Sequence, residues 1–160
     1  MKKPVVALVG RPNVGKSTLF NCLVGKKISI IEDTPGVTRD RVYGNVEFEN
    51  YKFHLIDTGG VDISKEVFND EIKVQVELAI DEADTIVFVV DGREDLTLND
   101  LKIRDYLLKS TKKVIVAINK IDDKNYIFDM KKNTNLWAKR FYEIYLDNND
   151  QKIKIKWRSS

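Results

Sequence analysis

The sequence predicts an α/β domain in which helices cover both faces of a mostly parallel six-stranded sheet. Short β-branched runs at Val5–Val9, Thr85–Val90 and Lys113–Ile118 are typical of strands buried on both faces of a parallel sheet. Segments with helical spacing separate these runs, which favours right-handed crossovers. Tyr43–Phe48 and Lys52–Ile56 are strand-like and almost adjacent, so they predict one antiparallel pair at the edge of the sheet.

The first elements follow from the apolar pattern near the N-terminus. Val5–Val9 leads through a glycine-containing loop into a predicted helix over Lys16–Val24. Leu19, Cys22 and Leu23 share one face of this helix. Cys22 is therefore predicted to be a small core residue.

Two more helices are predicted between the later strands. Apolar residues recur at helical spacing from residue 66 to about residue 83. Thr97 is a candidate N-cap for the next helix, and we expect Leu98, Leu101 and Leu108 to face inward.

The C-terminal segment differs in composition from the rest of the chain. Residues 1–130 are expected to form the domain core, whereas residues 131–160 carry eight Lys and Arg against three Asp and Glu. Phe141–Leu146 is a candidate last strand, and 152–156 alternates like an exposed edge strand. A solvated basic tail is the favoured interpretation, and a nucleic-acid patch stays open as the alternative.

The bulk composition bounds the class of protein. The chain has 160 residues, 32% charged residues, one cysteine and a net charge of +2. One ordinary domain without an internal disulfide is expected, in a reducing compartment. No signal peptide and no apolar stretch of membrane-spanning length is visible, so we expect a cytoplasmic monomer with no membrane association.

The run from Gly10 to Ser17 fits the phosphate-loop pattern of a Gly, four free positions and Gly-Lys-Ser. Gly10 and Gly15 allow successive backbone amides to point at a phosphate, and the start of a helix adds its dipole. Lys16 can reach the outer phosphates, and the Ser17 hydroxyl can bind Mg²⁺. A mere glycine turn is the less favoured alternative. The predicted phosphate-loop residues are Gly10, Asn13, Val14, Gly15, Lys16, Ser17 and Thr18.

A second motif, Asp57-Thr58-Gly59-Gly60, follows the strand Lys52–Ile56. Ligands of open α/β sheets bind at the carboxyl ends of the strands. Asp57 can therefore hold Mg²⁺ opposite Ser17, and Gly60 can let the backbone approach a terminal phosphate.

A third motif, Asn119-Lys120-Ile121-Asp122, follows another buried strand. The carboxylate of Asp122 can accept two hydrogen bonds from guanine, whereas adenine would leave it unpaired, which argues against an ATP-specific enzyme. Asn119 can connect this loop to the phosphate loop, and the stem of Lys120 can pack on the base.

Together the motifs resemble a known family. The run Gly-Arg-Pro-Asn-Val-Gly-Lys-Ser-Thr-Leu-Phe-Asn from Gly10, Asp-Thr-Pro-Gly-Val-Thr-Arg-Asp-Arg at 33–41 and Asp-Thr-Gly-Gly-Val at 57–61 are most similar to the first GTPase domain of the Der (EngA) family of bacterial ribosome-assembly GTPases. The resemblance covers Val5 to about Asp123. Era and the G domain of MnmE share the phosphate loop.

The resemblance implies a reaction and roles for residues. GTP would be hydrolysed to GDP with Mg²⁺ held by Ser17, Thr38 and Asp57, and Lys16, Thr38 and Gly60 would be the catalytic residues. Val61 stands where many small GTPases carry a water-positioning glutamine, so intrinsic hydrolysis is expected to be slow.

The resemblance also implies a potassium site at Asn13, where K⁺ would stand in for an arginine finger. A turn residue that tolerates left-handed dihedral angles is the equal alternative for Asn13.

Two departures from the family bear on function. Full-length members resemble two GTPase domains followed by a KH-like domain, and only the first fits here, so binding to the large ribosomal subunit or rRNA is expected to be weak or absent. The family's Ser-Ala guanine motif is missing from the sequence, which predicts weakened nucleotide affinity. The alternative function is a nucleotide-gated binding module, like the G domains of Era or MnmE, with negligible intrinsic hydrolysis.

Overall fold

The structure is a computed structural model that describes residues 3–24, 30–31, 42–48, 50–60, 71–119, 141–146 and 153–156. The helices in these ranges are α1 (Lys16–Val24), α2 (Glu71–Glu82) and α3 (Leu98–Lys109), and a 3₁₀ turn spans Thr58–Gly60. The strands are β1 (Val5–Val9), β2 (Ile30–Ile31), β3 (Val42–Phe48), β4 (Tyr51–Asp57), β5 (Thr85–Asp91), β6 (Lys113–Asn119), β7 (Phe141–Leu146) and β8 (Ile153–Lys156). None of the described helices is long and apolar enough to span a bilayer.

All of these strands join one sheet in the order β2-β3-β4-β1-β5-β6-β7-β8. Neighbours from β4 to β7 are parallel, whereas β2/β3, β3/β4 and β7/β8 are antiparallel. The predicted fold class is confirmed, including the antiparallel pair β3/β4. The sheet has two strands more than the predicted six, because β2 is too short to show a period of two and β8 continues the sheet beyond β7.

Side chains alternate across β1, so helices pack on both faces of the sheet. Ala7 and Val9 belong to a core cluster that includes residues of α2 and α3. Leu8 belongs to a second cluster with Phe20 and Val24 of α1. The carboxyl ends of β1, β4, β5 and β6 lie at one edge of the sheet, where all three sequence motifs begin.

The inward face of α1 agrees with the prediction only in part, since Leu19 and Leu23 are partly buried against the core. Phe20 and Val24 are its buried apolar residues, and Cys22 is exposed, so its prediction as a core residue was wrong. These two side chains pack where β3 carries Gly44, since a Cβ there would lie 2.5 Å from Cγ2 of Val24. A residue without a side chain on β3 therefore selects this face of the helix.

The inward face of α3 also differs from the prediction. Leu98 is 85% exposed and Leu108 is 36% exposed, whereas Ile103 and Leu107 are buried. The leucines of this segment are spread around the helix, so they did not identify its face. The N-cap at Thr97 is confirmed. For α2, the described part starts at Glu71, and the earlier part of the predicted helix lies outside the described residues.

Candidate functional site

The phosphate loop leaves the sheet at Gly10 and enters α1 at Lys16. A Cβ at Gly10 would lie 2.8 Å from the Val89 carbonyl oxygen of β5, so only glycine lets the chain leave β1 this close to its neighbour. Asn13 has φ 68° and Gly15 has φ 99°, which are left-handed conformations. These two residues curl the loop ahead of the helix.

Lys16 is a buried cation held by the loop itself. Its side chain is 7% exposed, and Nζ donates hydrogen bonds to the carbonyl oxygen of Gly10 and, at 3.1 Å, to that of Arg11. Burial lowers the pKa of Lys16, and the negative charge of Asp57 opposes this effect. Among the described residues, the ammonium donates to two neutral carbonyl oxygens, and a desolvated cation with such partners gains strongly when an anion enters.

Asp57 and Ser17 meet beside Lys16. The Ser17 hydroxyl donates to Oδ2 of Asp57 at 3.0 Å, and the Gly59 amide donates to Oδ1 at 3.0 Å. Asp57 ends β4 and is 3% exposed, so strand, 3₁₀ turn and helix fix its carboxylate from three sides. A hydroxyl next to a carboxylate is the donor set that Mg²⁺ accepts in nucleotide sites, so these residues fit the predicted ion.

A cleft of about 440 Å³ opens in front of these groups. The sequence motifs supply most of its lining, but helix α2 supplies two further residues that were not predicted. Its lining residues are Pro12, Asn13, Gly15, Lys16, Ser17, Thr18, Gly59, Glu71 and Gln75. Glu71 and Gln75 lie one helical turn apart, and Gln75 is the polar residue on the otherwise apolar buried face of α2. That polar position was the available signal.

Thr58 connects this cleft to the sheet and was also missed. It is fully buried, and its hydroxyl donates to the carbonyl oxygen of Leu8 at 2.6 Å. The hydroxyl oxygen of Thr58 also lies 3.2 Å from Oε1 of Gln75. The second motif is therefore fastened to β1 on one side and to α2 on the other.

Asn119 lies at the carboxyl end of β6 and contacts the phosphate loop. Its Nδ2 donates to the Val14 carbonyl oxygen at 3.0 Å, the contact that the sequence analysis anticipated. Its own carbonyl oxygen accepts from the Gly92 amide at 2.7 Å. This buried residue thus joins the start of the third motif to the phosphate loop and to the turn after β5.

Three predicted site residues, Thr38, Lys120 and Asp122, lie outside the described residues, as does Val61. The others occupy one edge of the sheet, with Gly60 at the end of the 3₁₀ turn. The structure brings together the phosphate loop, Asp57 and Asn119. The nucleotide contacts of these residues remain predictions.

Comparison with known families decides the kind of site. The family described as "50S ribosome-binding GTPase" matches residues 5–120, which include the phosphate loop, Asp57 and Asn119. The chain belongs to this GTPase family. All the residues that line the cleft lie within the part of the chain that matches this GTPase family.

Relatives of known name are Der GTPases. The chain is 57% identical over 123 residues to GTPase Der of Geobacillus sp. (strain WCH70), covering 77% of this chain and 28% of the relative. It is 54% identical over 132 residues to GTPase Der of Staphylococcus haemolyticus, covering 81% and 30%. The predicted resemblance to a Der GTPase domain is confirmed. The chain spans less than a third of the length of these relatives.

Solved GTPase domains share the fold. The G domain of the FeoB iron transporter of T. maritima superposes with a TM-score of 0.68 at 26% identity, covering 94% of this chain and 91% of that domain. Era of Aquifex aeolicus, solved with GDP and AlF4⁻, gives a TM-score of 0.63 at 32% identity, covering 91% and 52%. This family fold therefore extends over nearly the whole chain.

Proposed function

We propose that this GTPase domain binds GTP with Mg²⁺ and hydrolyses it to GDP and phosphate. One observation carries the proposal: buried Lys16 and Ser17, whose hydroxyl donates to Asp57, line the same cleft at the carboxyl end of β1. In the reaction, a water oxygen bonds to the γ-phosphorus as the bond to the β,γ-bridging oxygen breaks. The water proton ends on the released phosphate.

Lys16 exchanges its partners when nucleotide binds. Its contacts with the Gly10 and Arg11 carbonyl oxygens give way to β- and γ-phosphate oxygens, which also keep it charged. Ser17 and Asp57 hold the metal, which when bound supplies positive charge to the same oxygens. We assign Thr38 to the metal and γ-phosphate and Gly60 to the approach of backbone to γ-phosphate, on the family resemblance.

We propose that hydrolysis is slow and stimulated by potassium. Val61 cannot orient water by hydrogen bonding, so stabilisation must come from another source. Asn13 lines the cleft, and its amide oxygen is a suitable ligand for K⁺. Its left-handed backbone supports the turn role as well, so the two roles coexist.

The potassium proposal is tested by turnover in KCl and NaCl buffers of equal ionic strength. We expect faster turnover in potassium and loss of that difference in Asn13→Ala. Equal turnover of the unmodified protein in both salts would overturn the proposal.

We propose that Asn119, Lys120 and Asp122 select guanine. The support is the placement of Asn119 beside Val14, which puts the start of the third motif next to the phosphate loop. Asp122→Asn should reverse the preference between GTP and xanthosine triphosphate. The amide can donate to the 2-oxo group of xanthine, whereas the carboxylate can only accept from the 2-amino group of guanine. Unchanged preference would exclude Asp122 from the base site.

Single-turnover phosphate release tests hydrolysis itself. We expect release above background with GTP, and its loss in Lys16→Met. Lys73→Met is the matched control, since Lys73 is an exposed lysine of α2 near Glu77. Nucleotide binding without any release would favour the alternative, a nucleotide-gated binding module.

We propose that the large ribosomal subunit is the partner, bound weakly by this domain alone. The family description names 50S binding, and the chain covers under a third of its Der relatives. Co-sedimentation with 50S subunits, with GTP or GDP present, tests this. Absence of GTP-dependent sedimentation at high protein concentration would contradict it.

A further inference from the structure

Arg11 connects the phosphate loop to helix α3. It follows Gly10 in the loop but is not among the residues that line the cleft. Its Nε donates to Oδ2 of Asp100 at 3.3 Å, and its Nη2 forms an ion pair with Glu94. The Arg11 side chain is only 15% exposed, so the guanidinium lies between the loop and the segment that begins α3.

The α3 end of this connection is rigid. Asp100 is 2% exposed and is the third residue of α3, where it closes a capping box in which Oδ2 accepts from the Thr97 amide at 2.9 Å. The Asp100 amide donates in turn to Oγ1 of Thr97 at 3.2 Å. The carboxylate cannot move without uncapping the helix.

The buried carboxylate of Asp100 depends on Arg11 for its charge balance. Its Oδ1 has no hydrogen-bond partner among the residues that the structure describes. Desolvation would lower the pKa of Arg11, but the charges of Asp100 and Glu94 outweigh it and raise that pKa. Removing either member of a buried pair leaves the other uncompensated, so the pair is held together.

Through its backbone, Arg11 also touches the residue that binds phosphate. Its carbonyl oxygen accepts from Nζ of Lys16 at 3.1 Å. One residue therefore contacts α3 with its side chain and the phosphate-binding lysine with its main chain. The position of the loop carbonyls and amides depends on where the guanidinium is fixed.

We propose that Arg11 is a positioning residue: its ion pairs with Asp100 and Glu94 hold the phosphate loop in the shape that receives the nucleotide phosphates. The inference rests on the proposed function. A loop held in its binding conformation before the ligand arrives loses less entropy on binding, so affinity rises without a new contact to the ligand.

A purely electrostatic role for Arg11 makes the opposite prediction for its partner. If Arg11 acted only by attracting phosphates, Asp100→Asn would remove a nearby negative charge and strengthen GDP binding. If Arg11 positions the loop, both Arg11→Met and Asp100→Asn weaken binding, each by about tenfold, and the double variant is no weaker than the worse single variant.

The test is a double-mutant cycle that measures the GDP affinity of the unmodified protein, Arg11→Met, Asp100→Asn and the double variant. The control is Asp105→Asn, which changes an exposed acidic residue of α3 that pairs with Arg104. Unfolding curves show that each variant is folded, and Arg11→Lys should restore part of the affinity because it keeps one ion pair. Single-turnover release at saturating GTP should stay within about twofold, since only binding changes. Stronger binding by Asp100→Asn, or additive losses, would overturn the inference.

Failure of the proposed function would look different. If the unmodified protein bound no guanine nucleotide, the same cycle would be measured with inorganic pyrophosphate, which needs only the phosphate loop. The role of Arg11 would be supported if both single variants lost pyrophosphate affinity and the double variant was no weaker than the worse of them. Unchanged affinity in both single variants would refute it.

Discussion

Lys16 is a buried cation whose direct partners are backbone oxygens of its own loop. This arrangement costs stability, because a charge has left water and its nearest contacts are neutral. The cost appears as a lowered pKa, with burial the main cause and Asp57 partly offsetting it. The functional consequence is that an anion entering the site would give Lys16 a negatively charged partner and would bind favourably.

The lowered pKa of Lys16 predicts a pH dependence of stability. The folded pKa lies below the ordinary value of 10.5, so the folded protein releases this proton before the unfolded chain does. Stability attributable to Lys16 therefore rises with pH between the two values, by about 1.4 kcal/mol for each unit of lowering. The free energy of unfolding of Lys16→Met should exceed that of the nucleotide-free protein at neutral pH, and the excess should shrink towards pH 10.5. A constant difference in denaturant titrations would contradict this.

Gly59 predicts a separation of function from stability. A Cβ at this position would lie 2.8 Å from Cε of Lys16 and 3.1 Å from Oδ1 of Asp57. The flexible lysine end can move aside, so Gly59→Ala should cost under about 1 kcal/mol of unfolding free energy but weaken GDP binding by roughly tenfold.

Gly44→Ala is the contrasting control for Gly59→Ala. Its Cβ would meet Val24 and Phe20 in the core, so overpacking should cost about 1–3 kcal/mol with GDP affinity retained in the folded fraction. Denaturation and GDP titration measure both quantities. Retained GDP affinity in Gly59→Ala would show that the displaced Lys16 side chain still reaches the phosphates, which would contradict the prediction.

At the residue scale, the sequence predicted the groups that belong to local motifs. Four of these groups were found because their spacing fits a motif with a known chemical role: Gly10, Lys16, Ser17 and Asp57. Gln75 was not found, because it enters the cleft only once α2 packs beside the 3₁₀ turn. The polar position of Gln75 on an apolar helix face is visible in the sequence, but the residues that it meets depend on how distant segments pack.

At the scale of the element, the N-terminus of α3 is closed by a capping box. Thr97 accepts from the Asp100 amide and its own amide donates back to that carboxylate, so each residue satisfies a group of the other. This reciprocal cap also holds the carboxylate that Arg11 contacts. A change at the cap therefore affects the helix and the phosphate loop together.

Thr97→Ala should lower the free energy of unfolding by about 1 kcal/mol or more, because the cap oxygen is lost. Thr97→Ser keeps that oxygen and should stay near the unmodified protein. Urea denaturation followed by circular dichroism measures both variants. An equal loss in the two would assign the effect to the threonine methyl group and not to the cap.

Element existence was predictable, but helix faces were less so. Strands β1, β5 and β6 were found within a residue of their observed ends, because buried β-branched runs are distinctive. The face of α3 was misassigned and Cys22 of α1 was wrongly placed in the core, because in both helices apolar residues occur on more than one side. The surface that each helix packs against decides which side is buried. For α1 that surface includes Gly44, which leaves room for the side chains of Phe20 and Val24.

At the scale of the whole molecule, the site depends on contacts between strands far apart in sequence. Asn119 ends β6, yet its side chain bonds to Val14 at the start of the phosphate loop. The order of strands brings these two loops to one edge of the sheet. The fold class and this edge could be predicted, and the alternation over 152–156 indicated an edge strand where β8 lies, whereas the two-residue strand β2 is too short to show a pattern.

Asn119→Ala should weaken both the fold and the site. The buried Val14 carbonyl oxygen would lose its partner, at a cost of about 1–3 kcal/mol in unfolding free energy. GDP affinity should fall as well, since the phosphate loop is no longer tied to β6. Asn45→Ala, which removes an exposed contact with His54, is the control and should change neither quantity. Unaltered GDP binding by Asn119→Ala would contradict this coupling.

The central position of β1 has a consequence for how the domain fluctuates. Ala7, Leu8 and Val9 are fully buried, and the strand is paired on both sides, with β4 and β5. Backbone amides in such a strand exchange with solvent deuterons only when much of the molecule opens. The phosphate loop therefore follows directly from a strand whose amides we expect to exchange slowly, and local openings elsewhere leave the start of the loop in place.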